Sequence, residues 1–370
     1  MVLTSYMPTR ILCGENCVEK NADVFSAFGK RALIVTGKHG AKESGALDTL
    51  LSVLQKQEIS FEKFDDITEN PQTRDCRNAG DQARHMQADF IVGIGGGSPL
   101  DAAKAVAIYA SDDSMQASEI YTKAGSAAPL PVLLIGTTAG TGSEVTGVSV
   151  LTDSETGRKR SVKGKNCYAA VSFCDCQYTR SMPQSVRVST ALDAFAHAYE
   201  SYLSTTGNDL SRLYAKRAIE IIWPQLKSYE SGHADDVEYD SAYAASLYAG
   251  MAINITGTLA PHTLGYALTE EYHVPHGVAC AVFAPALLRH LCENGGEQKV
   301  KELLTLLQTD LVSFSNTVLS LSDLSLTIPE NKIEVMRERW RGKIASFEHV
   351  PGGFTDRDAV RFYQSMFSDR

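Results

Sequence analysis

ADFIVGIGGGSPLDAAKAVAIYA, residues 88–110, runs from an apolar stretch through three glycines into an alanine-rich segment. The continuous apolar run "ADFIVGI" (88–94) predicts a strand buried on both faces, and "SPLDAAKAVAIYA" (98–110) predicts a helix. Between them, Gly95, Gly96 and Gly97 permit positive φ and let the backbone approach a ligand closely. Ser98 is placed to cap the helix, Pro99 suits its first turn, and Asp101 falls at the reciprocal capping-box position. Free N–H groups at such a helix start, with the positive end of its dipole, suit a phosphate. The loop lacks the GxGxxG spacing, so it does not license a Rossmann assignment.

The same handover recurs on either side. "RALIVTG" (31–37), "SFEKFDDI" (60–67) and "LPVLLIG" (130–136) read as strands, while 45–57 and 73–87 read as helices. Strand–helix alternation of this kind implies a parallel sheet covered on both faces, with ligands bound beyond the carboxyl ends of its strands. "IGTTAGTGSE" (135–144) is a second glycine loop in that position, with hydroxyls at Thr137, Thr138, Thr141 and Ser143. Two such loops in one sheet favour a dinucleotide. The first strand ends "VTGKHG" (35–40), with no acid at its tip. An acid there would hold the ribose of NAD and repel a 2′-phosphate, whereas Gly37 leaves space and Lys38 adds charge. NADP(H) is therefore expected over NAD(H).

After "TRSMPQ" (179–184) the rhythm changes to long helical patterns: 189–204, 208–229, 238–255, a run near 277–292, 297–320 and 330–347. The expected organisation is an α/β dinucleotide-binding domain over 1–182 and an all-helical domain over 183–370. The chain has 370 residues, 44% hydrophobic and 21% charged, with a net charge of −9. An acidic surface without a Lys/Arg-rich run argues against nucleic-acid or anionic-membrane partners. No segment has the roughly 20 apolar residues that span a bilayer, and the N-terminus does not read as a signal peptide. Eight scattered cysteines suit reduced thiols and a cytoplasmic location.

"LDAFAHAYESY" (192–202) is mostly apolar, yet Asp193, His197 and Glu200 fall at i, i+4 and i+7. Residues four apart can converge on one point, and a buried carboxylate or imidazole needs a partner. A structural Asp–His hydrogen bond would satisfy that need. So would a metal ion, because "PHTLGYALTEEYHVPHG" (261–277) adds His262 and His276, each preceded by proline. One carboxylate and three imidazoles suit Fe²⁺ or Zn²⁺ and poorly suit Mg²⁺ or Ca²⁺.

"GGGSPLDAAKA" (95–105), "TTAGTGSE" (137–144), "DAFAHAYESY" (193–202) and "GTLAPHTLGYALTEEYHVPHG" (257–277), in this order, resemble the iron-containing, metal-dependent alcohol dehydrogenases. The resemblance covers about residues 30–295. It implies a dehydroquinate synthase-like architecture: a nucleotide-binding α/β domain, a helical metal domain, and a site in the cleft between them. It implies that Asp193, His197, His262 and His276 bind the metal, iron with zinc as the alternative. Gly95, Gly96, Gly97, Ser98, Thr137, Thr138 and Thr141 would line the cofactor, with Asp101 and Ser143 of the same two loops beside it. A homodimer is also implied. Many members carry a further histidine where this chain has Tyr266, which transfers the proton-shuttle question to Tyr266, His273 and solvent. "DCQYT" (175–179) departs from the family's acidic–proline turn and bears on the cofactor edge near Tyr178; Lys159 is a candidate for the cofactor ribose.

The implied reaction is hydride transfer between NAD(P)(H) and a small alcohol or aldehyde, with the metal as Lewis acid. Glycerol-dehydrogenase-like polyol oxidation and dehydroquinate-synthase-like lyase chemistry are the nearest alternatives. A non-catalytic nucleotide or metal sensor is a more distant one.

Overall fold

The computed structural model describes residues 3–234 and 237–368. The chain divides into two compact units, Tyr6–Pro183 and the chain from Gln184 onward, the latter joined by the residues just before Tyr6.

In the first unit, strands β1 (Arg10–Cys13), β2 (Arg31–Thr36), β3 (Ser60–Phe64), β4 (Phe90–Gly95), β5 (Val132–Gly136) and β8 (Val171–Cys174) form one parallel sheet. Its order is β1-β8-β5-β4-β2-β3. A separate antiparallel pair, β6 (Val148–Thr152) and β7 (Lys159–Lys163), follows the β5 loop. The main helices are α1 (Ala46–Lys56), α2 (Thr73–His85) and α3 (Gly97–Ala110). Successive residues of the strands point to opposite faces, and both faces are buried. Leu33, Val35, Ile91 and Leu134 pack with α3 in one core, while Ala32, Ile34, Val92 and Ile135 belong to the other. This double burial is why the strands lack polar alternation.

The capping expectation needs correction. Helix α3 begins at Gly97 with Gly96 as its N-cap and no side-chain cap, so Ser98 lies inside the first turn. Its hydroxyl instead accepts from the Asn70 N–H at 3.3 Å.

The second unit is helical: α4 (Gln184–Leu203), α5 (Asp209–Glu230), α6 (Tyr239–Thr256), α7 (Ala260–Tyr272), α8 (His276–Ala281), α9 (Ala284–Glu293), α10 (Glu297–Leu306), α11 (Leu311–Ser322), α12 (Glu330–Met336) and α13 (Asp356–Phe367). Three of the expected runs are broken. Pro285 starts α9, Gln308 at φ 51° and the capping Asp310 separate α10 from α11, and α12 gives way to a 3₁₀ turn at Arg337. Helix α4 lies at the centre of this unit's core. Phe195 packs against Trp223 and Phe314, with ring centroids 5.5 and 6.2 Å away. Among the described residues, no helix is long and apolar enough to cross a membrane.

Candidate metal centre and glycine loops

The polar stripe of α4 faces inward. Asp193 and His197 are 3% and 6% exposed, and Glu200 is fully buried. Helix α7 carries Pro261 in its first turn and His262 beside it, and α8 begins at His276 immediately after Pro275. The approach of α8 to α4 depends on Gly277. A Cβ there would collide with the Ser189 carbonyl and stand 2.9 Å from the Asp193 backbone nitrogen. Only glycine lets the two backbones meet this closely, and that contact brings His276 to Asp193.

The result is a convergent set. The Nε2 atoms of His262, His197 and His276 lie 3.5, 3.8 and 3.9 Å from one oxygen, Asp193 Oδ1. Metal–ligand bonds of about 2.0–2.2 Å separate neighbouring donor atoms by about 3.4–3.9 Å at tetrahedral to slightly wider angles. These spacings therefore suit a shared ion better than direct hydrogen bonds, which need about 3 Å. Asp193 Oδ1 and His262 Nε2 are buried and have no hydrogen-bond partner among the described residues. Such orphaned atoms are costly unless something joins them.

Glu200 sets the direction of His262. Its Oε1 lies 2.7 Å from His262 Nδ1, and its Oε2 accepts from the Leu259 N–H at 2.5 Å. With the Nδ1 hydrogen held there, the Nε2 lone pair points to Asp193 and is available as a ligand. Burial disfavours ionised Asp193, but the imidazoles of His197, His276 and His262 outweigh it and hold the carboxyl below its ordinary range. Burial likewise favours neutral His262, yet Cys280, Glu200 and Asp193 push its pKa well above the usual imidazole value. A proton on Nε2 must leave before an ion can bind there.

A fifth group completes the cluster. One donor atom each from Asp193, His262, His276 and Cys280 falls within a mutual distance of 4.8 Å. Cys280 was one scattered thiol among eight in the sequence. The signal that could have found it is its position four residues after His276, the same spacing that singled out Asp193 and His197.

In the sheet unit, the β4–α3 and β5 loops lie side by side beyond adjacent strand ends, and the Thr137 N–H donates to the Gly95 carbonyl at 2.9 Å. Gly95 has φ +145°. A Cβ on Gly97 would stand 2.7 Å from Thr141 Cγ2, and one on Gly96 3.1 Å from Thr138 Cγ2. The threonines thus flank a backbone that only glycine keeps accessible. Behind them sits Lys104, fully buried. Its ammonium donates to Ser143 Oγ and the Val148 carbonyl at 2.7 Å, and to the Thr146 carbonyl at 3.2 Å. It also meets Asp101 Oδ1 at 3.3 Å, while the other oxygen of Asp101 accepts from the Val150 N–H at 2.8 Å. The polar groups of Asp101 and Ser143, expected at the cofactor, are thus occupied within the protein.

A family model described as "Iron-containing alcohol dehydrogenase" matches residues 8–176, and one described as "Fe-containing alcohol dehydrogenase family, C-terminal" matches residues 187–328. The chain belongs to the iron-containing alcohol dehydrogenase family. It is 34% identical to a 1,3-propanediol dehydrogenase of Klebsiella pneumoniae over 71% of this chain and 68% of that one. A sulfoacetaldehyde reductase of Bilophila wadsworthia is 29% identical over 77% of this chain and 74% of that one. Among solved structures, an iron-containing alcohol dehydrogenase from Thermotoga maritima superposes with a TM-score of 0.89 at 36% identity, covering 98% of this chain and 99% of the other.

Within this family member the remaining expected site residues are placed unevenly. The Tyr266 ring stacks on His276, with centroids 5.8 Å apart and planes 19° from parallel. His273 is exposed and closes α7 in the left-handed conformation at φ 55°. No hydrogen bond or ion pair joins it to the cluster among the described residues. Tyr178 is 2% exposed and packs into the hydrophobic core of the sheet unit. Lys159 opens β7, paired with Thr152. Lys38 is largely exposed after β2, and its ammonium lies 3.5 Å from Asp66 Oδ1. Besides Cys280, two contributors escaped the sequence-based site: Glu200 as the partner of His262, and Lys104 as the tie behind the loops.

Proposed function

We propose that this alcohol dehydrogenase family member transfers a hydride between NADP(H) and a small alcohol or aldehyde, with one divalent ion held by Asp193, His197, His262 and His276. Support comes above all from three imidazole nitrogens facing one carboxylate oxygen at 3.5–3.9 Å. Two atoms of that set are buried with no other partner among the described residues. The donor chemistry suits iron, with zinc as the alternative. When bound, the ion supplies Lewis acidity at the substrate oxygen, and the nicotinamide gives or takes the hydride.

The protein's own residues prepare that chemistry. Asp193 brings the negative charge that offsets a cation, and Glu200 keeps the His262 Nε2 lone pair directed inward. Tyr266 braces the His276 ring by stacking. The proton is passed to solvent or through His273. In the sheet unit, the N–H groups of Gly96, Gly97 and Ser98 at the start of α3 hold the pyrophosphate, with Thr137, Thr138 and Thr141 beside it. Gly37 leaves room for a 2′-phosphate. The Lys38–Asp66 pair is exposed and weak, so Lys38 can turn to that phosphate.

The test is NADPH and NADH oxidation with a panel of short aldehydes, after anaerobic loading with Fe²⁺ or Zn²⁺. Turnover is expected, and His276→Ala should lose bound metal and turnover together. Full metal content in that variant refutes the ligand set, and a preference for NADH at equal concentration refutes the cofactor reading.

A further inference from the structure

We propose that the Cys280 thiolate is a fifth protein ligand of this ion, which makes the centre thiophilic. The proposal rests on the metal-site reading above and extends it. Cys280 is fully buried and sits one turn after His276 on α8. Its Sγ lies 3.7 and 3.8 Å from the two ring nitrogens of His276, and within 4.8 Å of the donor atoms of Asp193 and His262. Bonds of about 2.1 Å to nitrogen and 2.3 Å to sulfur span 3.8 Å without stretching. The cysteine does not stand alone: Asp193 Oδ1 and His262 Nε2 are buried beside it with no partner among the described residues. Those orphaned atoms face the same point as the Cys280 sulfur.

On binding, the S–H bond breaks, its proton passes to solvent, and a sulfur–metal bond forms; no oxidant or reductant is involved. A donor set of three imidazoles, one carboxylate and one thiolate favours Zn²⁺, Co²⁺ or Fe²⁺ over Mn²⁺ and Mg²⁺.

X-ray absorption of the full chain loaded with one equivalent of Zn²⁺ tests this without any substitution. A sulfur scatterer at about 2.3 Å is expected. A shell of nitrogen and oxygen alone overturns the Cys280 proposal while leaving the four-ligand site standing. Failure to bind Zn²⁺ stoichiometrically overturns both. Co²⁺-loaded protein identifies which thiol is involved. The near-ultraviolet sulfur-to-cobalt charge-transfer band should be lost in Cys280→Ser while the visible ligand-field bands persist. A charge-transfer band unchanged in Cys280→Ser assigns the sulfur elsewhere and refutes the proposal.

Discussion

Replacing Glu200 by glutamine keeps the size of the side chain but removes one of two acceptors. Both carboxylate oxygens are engaged: one with His262 Nδ1 at 2.7 Å, the other with the Leu259 N–H at 2.5 Å. Both partners donate, and glutamine offers a single oxygen. If that oxygen stays with His262, the amide nitrogen faces the Leu259 N–H and leaves a buried donor unsatisfied, at a cost of about 1–3 kcal/mol. If the amide flips, its N–H₂ donates to Nδ1. His262 must then carry its hydrogen on Nε2, where it blocks metal binding. Losing such an outer partner typically weakens metal affinity about 10–100-fold, or about 1.4–2.7 kcal/mol. Competition for Zn²⁺ against a chromophoric chelator measures the loss of affinity, and thermal unfolding of the metal-free protein measures the cost of the unsatisfied donor. Zinc affinity and metal-free stability both unchanged in Glu200→Gln would refute the role assigned to Glu200.

Tyr266→Phe should reduce turnover only a few-fold, because stacking on His276 survives; a loss of roughly 10²–10⁴-fold with metal content intact would instead identify the hydroxyl as a general acid or base. Asp66→Asn removes the carboxylate beside Lys38 and should tighten NADPH relative to NADH by about two- to fivefold, the scale of an exposed ion pair. Fluorescence titration with both cofactors measures it, and an unchanged ratio counts against Lys38 as the phosphate contact. Asp358 caps α13, accepting from the Thr355 N–H and hydroxyl at 2.8 and 2.6 Å. Burial opposes its ionisation, but Thr355 and Arg361 outweigh it and depress its folded-state pKa. Its stabilisation is therefore present above the unfolded value near ~3.9 and lost as pH falls through the lower folded value. Asp358→Asn should flatten the acid limb of the melting-temperature profile, and parallel profiles would exclude this contribution.

The central strands β2, β4 and β5 were legible because burial on both faces leaves an unbroken apolar run, as in "ALIV" of β2 and "FIVGIG" of β4, whereas β8 is equally buried but only four residues long and was not legible. The edge strand β1 was not legible either: its four residues are partly exposed and it pairs on one side, with β8. The β6–β7 pair is masked in sequence by the charges of "KRSVK", which read as solvated loop. In the helical half, elements were legible and their breaks less so, because residues such as Gln308 adopt a left-handed turn that composition does not advertise. The His and Asp residues of the candidate metal site could be named from spacing and resemblance. Glu200 lay in the same stripe, but its partner is 62 residues away, so its task appears only in three dimensions. Cys280 was hidden for a similar reason, since its meaning depends on how α8 meets α4.

The buried Lys104 has a further consequence for how the sheet unit meets a ligand. One ammonium ties α3, the β5 loop and the start of β6 to a common point. The two glycine loops gain their openness from missing side chains, and such backbones would otherwise sample many conformations. Tethering from beneath removes that freedom during folding, before any ligand arrives. Binding then needs little loop ordering, so more of each contact's free energy appears as affinity. Lys104→Met, which keeps the length and apolar stem but loses the tether, would shift that entropy loss onto the binding step. Its signature would be a less favourable binding entropy in calorimetry with little change in the groups that touch the ligand.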